Sequence, residues 1–227
     1  SRNWGMLAVK VEAESRDDAY IHSVSDLWKV ANFQEREVYD MFGIKFVNHP
    51  DMRRFFLRND WVGHPLRKDY DANPELNPIR LEDEVNEDDS RVFVENAEGK
   101  IVEEPRKVFE KDEYVVNIGP QHPSTHGVMR FRASLDGEIV KKVDVVSGYI
   151  HRGIEKLTEG MTYPQILHFT DRMDYMSAHQ NRHCLCMCIE KALGLEIPKR
   201  AQVIRTMMDE LMRISSHLLS FGCTAMD

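Results

Sequence analysis

Residues 114–146 read YVVNIGPQHPSTHGVMRFRASLDGEIVKKVDVV, and this stretch sets the architecture of the chain's second half. Met129, Phe131, Ala133 and Leu135 alternate with Arg130, Arg132 and Ser134, which is the two-residue period of a strand with one face turned inward. Asp136-Gly137 supplies a turn, and Ile139–Val146 returns as the partner strand, so the spacing predicts an antiparallel hairpin. Tyr114 to Ile118 reads as a further strand. Between it and the hairpin, Gly119-Pro120, Pro123 and Gly127 interrupt regular structure and leave His122 and His126 on a short, stiff loop at a sheet end. An imidazole held on such a loop has little freedom to lose on binding, which suits a functional group. A surface turn whose histidine bonds its own backbone is the plainer alternative.

Downstream, the period becomes helical from Pro164. Ala201, Ile204, Met208, Leu211, Ile214 and Leu218 step by three or four just after Pro198 and predict a long amphipathic helix. Met161, Met173, Met176, Met187, Met207, Met208 and Met212 read as core filler on these helices in preference to the lining of an apolar ligand site. Upstream, Leu7, Val9 and Val11 alternate as a strand, Ser25 is an N-cap candidate for a helix through Leu27–Phe33, and Glu35 to Phe42 continues helically until Gly43.

Charge divides the chain. The net charge is −8, and the segment from Glu82 to Glu113 alone holds 13 acidic and 5 basic residues, so the remainder is neutral. No global basic field of the kind that binds nucleic acid exists. Residues 71–112, with Pro74, Pro78 and Pro105, read as an acidic linker that buries little apolar surface and crosses the outside, although Arg91–Val94 and Gly99–Val102 can form a short hairpin. The linker separates residues 1–70 from residues 113–227. No apolar run approaches the roughly 18 residues of a membrane span. The first residues show neither an initiator Met nor a basic, apolar leader, as in a chain that begins partway through a larger protein. Cys184, Cys186 and Cys188 read as reduced thiols of a cytosolic compartment. Their Cys-x-Cys-x-Cys spacing turns them in different directions on a helix, which argues against a zinc site with His122 and His126 and for small apolar packing.

Two long sets of residues resemble a known family. Glu35-Arg36-Glu37-Val38-Tyr39-Asp40-Met41-Phe42-Gly43-Ile44, His49-Pro50-Asp51, Arg53-Arg54 and Trp61-Val62-Gly63-His64-Pro65-Leu66-Arg67-Lys68-Asp69-Tyr70 are similar to the signature of the C-type subunit of respiratory complex I, the proton-pumping NADH:quinone oxidoreductase. Gly119-Pro120-Gln121-His122-Pro123-Ser124-Thr125-His126-Gly127, Tyr149-Ile150-His151-Arg152-Gly153-Ile154-Glu155-Lys156 and Asp171-Arg172-Met173-Asp174-Tyr175 resemble its D-type subunit. Together they cover nearly the whole chain, as in part of a fused C/D subunit.

The resemblance implies an α+β chain: a small C-like strand and helix part over residues 1–70, the acidic linker, then over residues 113–227 a D-like antiparallel sheet leading into a helical bundle like that of hydrogenase large subunits. It implies a place in a multisubunit complex on the cytoplasmic side of a bacterial inner membrane, next to a B-type subunit that carries a 4Fe-4S cluster and near the membrane arm. It further implies that the chain itself ligates no cofactor and that quinone is the substrate. Residues carried over from the family are His126 and Tyr175 at the quinone headgroup, Asp227 as the carboxylate partner of the histidine, and Arg152 near the neighbouring cluster. Their chemistry suits quinone reduction, in which each carbonyl oxygen gains charge and then a proton in a dry site. His49 and His64 read as structural, while Arg53, Arg54, Arg67 and Trp61 suit packing and ion pairs.

The same signatures also resemble the large subunits of membrane-bound nickel–iron hydrogenases, which need an Arg-x-Cys-x-x-Cys segment so that two thiolates reach nickel. Here the segment is Arg172-Met173-Asp174-Tyr175-Met176-Ser177, with Asp and Ser at the ligand positions. A non-catalytic docking module for other subunits is the third reading.

Overall fold

The alternating stretch forms the predicted hairpin. β6 (Met129–Asp136) pairs antiparallel with β7 (Ile139–Val146), the last facing pair is Asp136 and Ile139, and Gly137 takes the left-handed conformation at φ 61° that the tight turn requires. On the other side of β6 lies β5 (Tyr114–Gln121), three residues longer than the predicted strand, giving a three-stranded sheet in the order β5-β6-β7. The chain, as a computed structural model, is described at residues 8–70, 87–121 and 128–226. It divides into two compact units, Ser1–Gly153 and Ile154–Asp227.

The first unit also contains a four-stranded sheet. β1 (Tyr20–His22) and β2 (Lys45–Val47) run parallel, joined by helix α1 (Ala31–Phe42); β2 runs parallel to β3 (Asp89–Glu95), which pairs antiparallel with β4 (Ile101–Lys107). Strands β3 and β4 come from the acidic segment and form the predicted hairpin, with Arg91–Val94 within β3 and Ile101 and Val102 opening β4, while Gly99 and Lys100 lie in the turn between them. Val92 and Phe93 are buried with Val47, Met52, Val108 and Phe109, so over this part the segment supplies core as well as charge. Its acidic residues sit at the strand ends and on β4, in water, while its few apolar side chains turn inward.

Two expectations near the N-terminus are corrected. Residues 8–13 form no strand, and Val9 and Val11 are exposed: alternation alone cannot make a strand that finds no pairing edge. Ser25 caps no helix. Its hydroxyl meets that of Ser23 at 2.7 Å, residues 25–27 form a turn, and α1 starts only at Ala31. The stop at Gly43 is as predicted, with φ 82° and its N–H donated to the Tyr39 carbonyl at 2.8 Å.

The second unit is helical: α2 (Ile154–Thr158), α3 (Tyr163–Thr170), α4 (Ala178–Leu193) and α5 (Lys199–Met226). Thr162 precedes α3 and donates its N–H to the Gln165 side chain at 2.9 Å, the return arm of a capping box, while Pro164 sits in the first turn. α5 is the predicted long helix, but its apolar stripe is not a core: Ile204, Met208, Leu211, Ile214 and Leu218 are exposed. Of the methionines read as core filler, Met173, Met187, Met207 and Met208 are likewise exposed, and no residue of α4 is buried, its cysteines included. Among the described residues no helix is long and apolar enough to cross a membrane.

Candidate functional site

Within the first unit the chemistry gathers where α1 meets the loop that follows β2. α1 is amphipathic in an inverted sense: Glu35, Arg36 and Asp40 are buried, whereas Phe33 and Phe42 are exposed. Burying these charges requires partners for each. Asp40, with no exposed surface, accepts hydrogen bonds at one oxygen from the backbone N–H groups of Phe55, Phe56 and Leu57 (3.1, 2.8 and 2.9 Å) and at the other from Arg54 Nη1 (2.7 Å). Arg54 also donates to the carbonyls of Trp61 and Gly63, both at 2.8 Å. Glu35 accepts from Ser23 Oγ at 2.6 Å and from the Val24 N–H at 2.8 Å. The ERE-x-YD motif is therefore a clasp that folds the 53–63 loop around one carboxylate.

From that loop Arg53 reaches the three-stranded sheet. Asp144 of β7 is held between two guanidinium groups, Arg53 on one side and Arg132 of β6 on the other, the latter through Nε at 2.9 Å and Nη2 at 2.7 Å. Arg53 also donates to both oxygens of Asp51 at 3.0 and 3.1 Å, and Arg132 to Asp88 at 2.7 Å. Burial alone would push the carboxyls of Asp51 and Asp144 up, but their arginine partners hold both below the usual range. Arg36, almost fully buried and next to Arg53, has its pKa lowered to about 10 by burial first and by that neighbouring charge second. It donates to the carbonyls of Arg53 and Arg54 at 3.4 and 3.0 Å.

Beside this network lies a cleft of about 530 Å³, lined by Arg36, Arg53, Arg54, Phe56, Val146 and Tyr149 among others. At its rim the chain leaves β7 through Gly148, whose φ is 102° and whose position admits no side chain, since a Cβ there would lie 2.2 Å from the Phe56 carbonyl oxygen. The Phe56 ring stacks on His151 with centroids 4.7 Å apart. Arg152 follows on the surface, exposed.

His49 and His64 are structural, as the sequence reading has them. His49, fully buried, accepts the Asp51 N–H at Nδ1 (3.0 Å) and donates from Nε2 to the Asn32 carbonyl (3.1 Å). His64 meets the Asp40 carbonyl at 3.0 Å and packs against Gly43, where a Cβ would lie 2.6 Å from its ring. Burial lowers both imidazole pKa values below 6.5.

In the second unit, Tyr175 lies in the turn between α3 and α4 with its side chain largely exposed. His126 and Asp227 lie outside the described residues. The residues assigned to quinone chemistry are thus not seen together, and Arg152 and Tyr175 belong to different units. Sequence reasoning missed the Arg53–Asp144–Arg132 bridge and the Asp40 clasp. The only available signal was the Glu35–Asp40 and Arg53-Arg54 motifs themselves, since no periodicity reports that a carboxylate on β7 finds an arginine 91 residues away.

Residues 1–75 match the family model "Respiratory-chain NADH dehydrogenase, 30 Kd subunit". The chain is 58% identical over 221 residues to the NADH-quinone oxidoreductase C/D subunit of Phocaeicola vulgatus and 59% identical over 222 residues to that of Bacteroides fragilis, each alignment covering 97% of this chain and 42% of the relative. The corresponding C/D protein of Sulfurihydrogenibium is 40% identical over 238 residues, covering 100% of this chain and 41% of the relative. The chain therefore spans about two fifths of the length of the curated relatives it matches. With a match to the 30 Kd family at its N-terminal end and similarity continuing through the three-stranded sheet and the helices, the chain is a homologue of the fused C/D subunits of NADH-quinone oxidoreductase.

Proposed function

We propose that this chain works in a multisubunit NADH:quinone oxidoreductase, where its D-like part helps form the site of quinone reduction. The observation that carries the reading is similarity at 58% identity over 97% of the chain, which takes in both the C-like and the D-like parts. Tyr175 is exposed on a short turn, where a substrate can reach it. Its phenol donates one proton to the quinone as the carbonyl oxygen gains charge. His126 donates the other and is oriented by Asp227, whose negative charge favours the imidazolium against desolvation. A 4Fe-4S cluster in the neighbouring B-type subunit supplies the electrons. Arg152, exposed on a segment anchored by Gly148 and Phe56, is suited to lie against that partner, where a fixed positive charge favours the reduced cluster. The helices take up a hydrogenase large-subunit-like arrangement in the complete protein, and the complex sits on the cytoplasmic side of the bacterial inner membrane in contact with the membrane arm.

The cleft beside Arg53 has a different part in this reading. Its arginines are committed to Asp40, Asp51 and Asp144, so the C-like part acts as a rigid brace for the sheet whose strands β5 and β6 flank His126 in the sequence. A docking contribution accompanies the catalytic one, favoured by the exposed apolar stripe of α5. The test is His126→Ala in the assembled enzyme: quinone reduction falls by about 100-fold while the complex still assembles. Unchanged quinone turnover in that variant, or nickel in the purified full-length protein, would overturn the reading.

A further inference from the structure

The cleft of about 530 Å³ in the first unit is lined by four arginines, Arg36, Arg53, Arg54 and Arg58. Three of them have a carboxylate of their own: Arg53 donates to Asp51 and Asp144, Arg54 to Asp40, and Arg58 to Asp60 at 3.1 and 3.0 Å. Arg36 has none. Only 3% of it is exposed, and its Nε and Nη2 donate to the backbone carbonyls of Arg53 and Arg54. Its Nη1 comes no closer than 3.7 Å to Asp51, beyond hydrogen-bond reach, and both oxygens of Asp51 already accept from Arg53. Arg36 Cζ lies over the Phe55 ring, 5.2 Å from its centroid, so the guanidinium has an aromatic neighbour but no counter-ion to itself among the described residues. A buried charge in that position is poorly compensated: burial first and the charge of Arg53 second bring its pKa down to about 10.

Around this cation the walls are apolar, formed by Phe55, Phe56, Leu57, Val145, Val146 and the Tyr149 ring. The one acidic residue among those lining the cleft, Glu87, is held by Arg130 at 2.5 Å. Apolar walls, a few hundred cubic ångströms and one under-compensated charge are the make-up of a small-molecule pocket. We propose that the cleft binds one small-molecule carboxylate carried on an aromatic or branched apolar body, with the carboxylate paired to Arg36 and the body against the Phe56 and Val146 walls. The anion supplies the partner that Arg36 lacks, and the body covers apolar surface at the same time. Inorganic phosphate and phosphate esters fit less well, because three acceptor oxygens and about two negative charges call for several free donors, and the other arginines are already paired. The lining comes from the 53–59 loop and the end of β7, both within the first unit, so an occupied cleft ties the C-like loop to the three-stranded sheet. The site is independent of the quinone chemistry proposed above.

The experiment is equilibrium dialysis of radiolabelled phenylacetate against the full chain, with phenylacetamide, acetate and inorganic phosphate as competitors. One equivalent of phenylacetate binds. Phenylacetamide, which keeps the shape and loses the charge, competes at least about tenfold less well, and so does acetate, which keeps the charge and loses the ring. Arg36→Gln weakens binding by at least about tenfold. Val146→Phe, which narrows the cleft and leaves every arginine in place, weakens it by a similar factor with the circular dichroism spectrum retained, so the proposal stays testable if the Arg36 variant fails to fold. Absence of phenylacetate binding, equal competition by phenylacetamide, equal competition by acetate or inorganic phosphate, or undiminished binding in Val146→Phe would each overturn the proposal. Binding to the free chain that is lost in the assembled complex would assign the cleft to a neighbouring subunit and overturn it as well.

Discussion

Asp144 shows how much one side chain can decide. It sits on a strand whose other charged residues, Lys141 and Lys142, read as an ordinary solvated face, and nothing in the alternation of Ile139–Val146 marks it as buried. Yet only 5% of its side chain is exposed, and the arginines on either side are 8% and 7% exposed. A buried bridge of this kind is worth little over a well-packed apolar triad, but removing one member strands charges in a poor dielectric. Asp144→Ala should destabilise the first unit by about 3–5 kcal/mol, read as a lower denaturant midpoint with unchanged slope. A loss under about 1 kcal/mol would show that water reaches Arg53 and Arg132 and that the bridge is not buried in solution. Such partners are illegible in the sequence because pairing across 91 residues leaves no local signature.

Elements were legible where their period decided them. The β6–β7 hairpin, the halt of α1 at Gly43 and the start of α5 just after Pro198 follow from alternation, a left-handed glycine and a three-or-four step. The reading failed where burial follows another rule. α1 turns its charged residues inward because the 53–63 loop offers backbone donors and acceptors. α4 meets α5 through polar contacts, His179 and His183 with Asp209 and Glu190 with Arg205, so the apolar stripe of α5 stays uncovered. The ends of α1 and β2 are held by His64 and His49, and both imidazoles are kept neutral by burial. The sign follows directly: an imidazole whose folded pKa is depressed adds stability that is complete above its ordinary value of 6.5 and is lost as pH falls through the folded value, because only the unfolded chain accepts the proton. The melting temperature of the first unit should drop between about pH 7.5 and about pH 5.5, and His49→Gln should shrink that drop. A drop of equal size in His49→Gln would assign the effect to other groups.

At the scale of the whole molecule, each compact unit presents one part of the proposed chemistry. The first, Ser1–Gly153, joins the C-like fold to the three-stranded sheet through Asp144 and through the close approach of Gly148 to Phe56. The second, Ile154–Asp227, carries Tyr175 on its surface. The residues proposed for quinone chemistry come from motifs alone, since an exposed tyrosine in a turn has no periodic signature. The most direct test compares two rates in the assembled enzyme carrying Tyr175→Phe: NADH oxidation coupled to quinone, and NADH oxidation coupled to a water-soluble one-electron acceptor that does not need the quinone site. The account predicts that the first falls by about 100-fold while the second is unchanged. Equal rates with quinone in the variant and the unaltered enzyme, or a parallel fall of both activities, would contradict it.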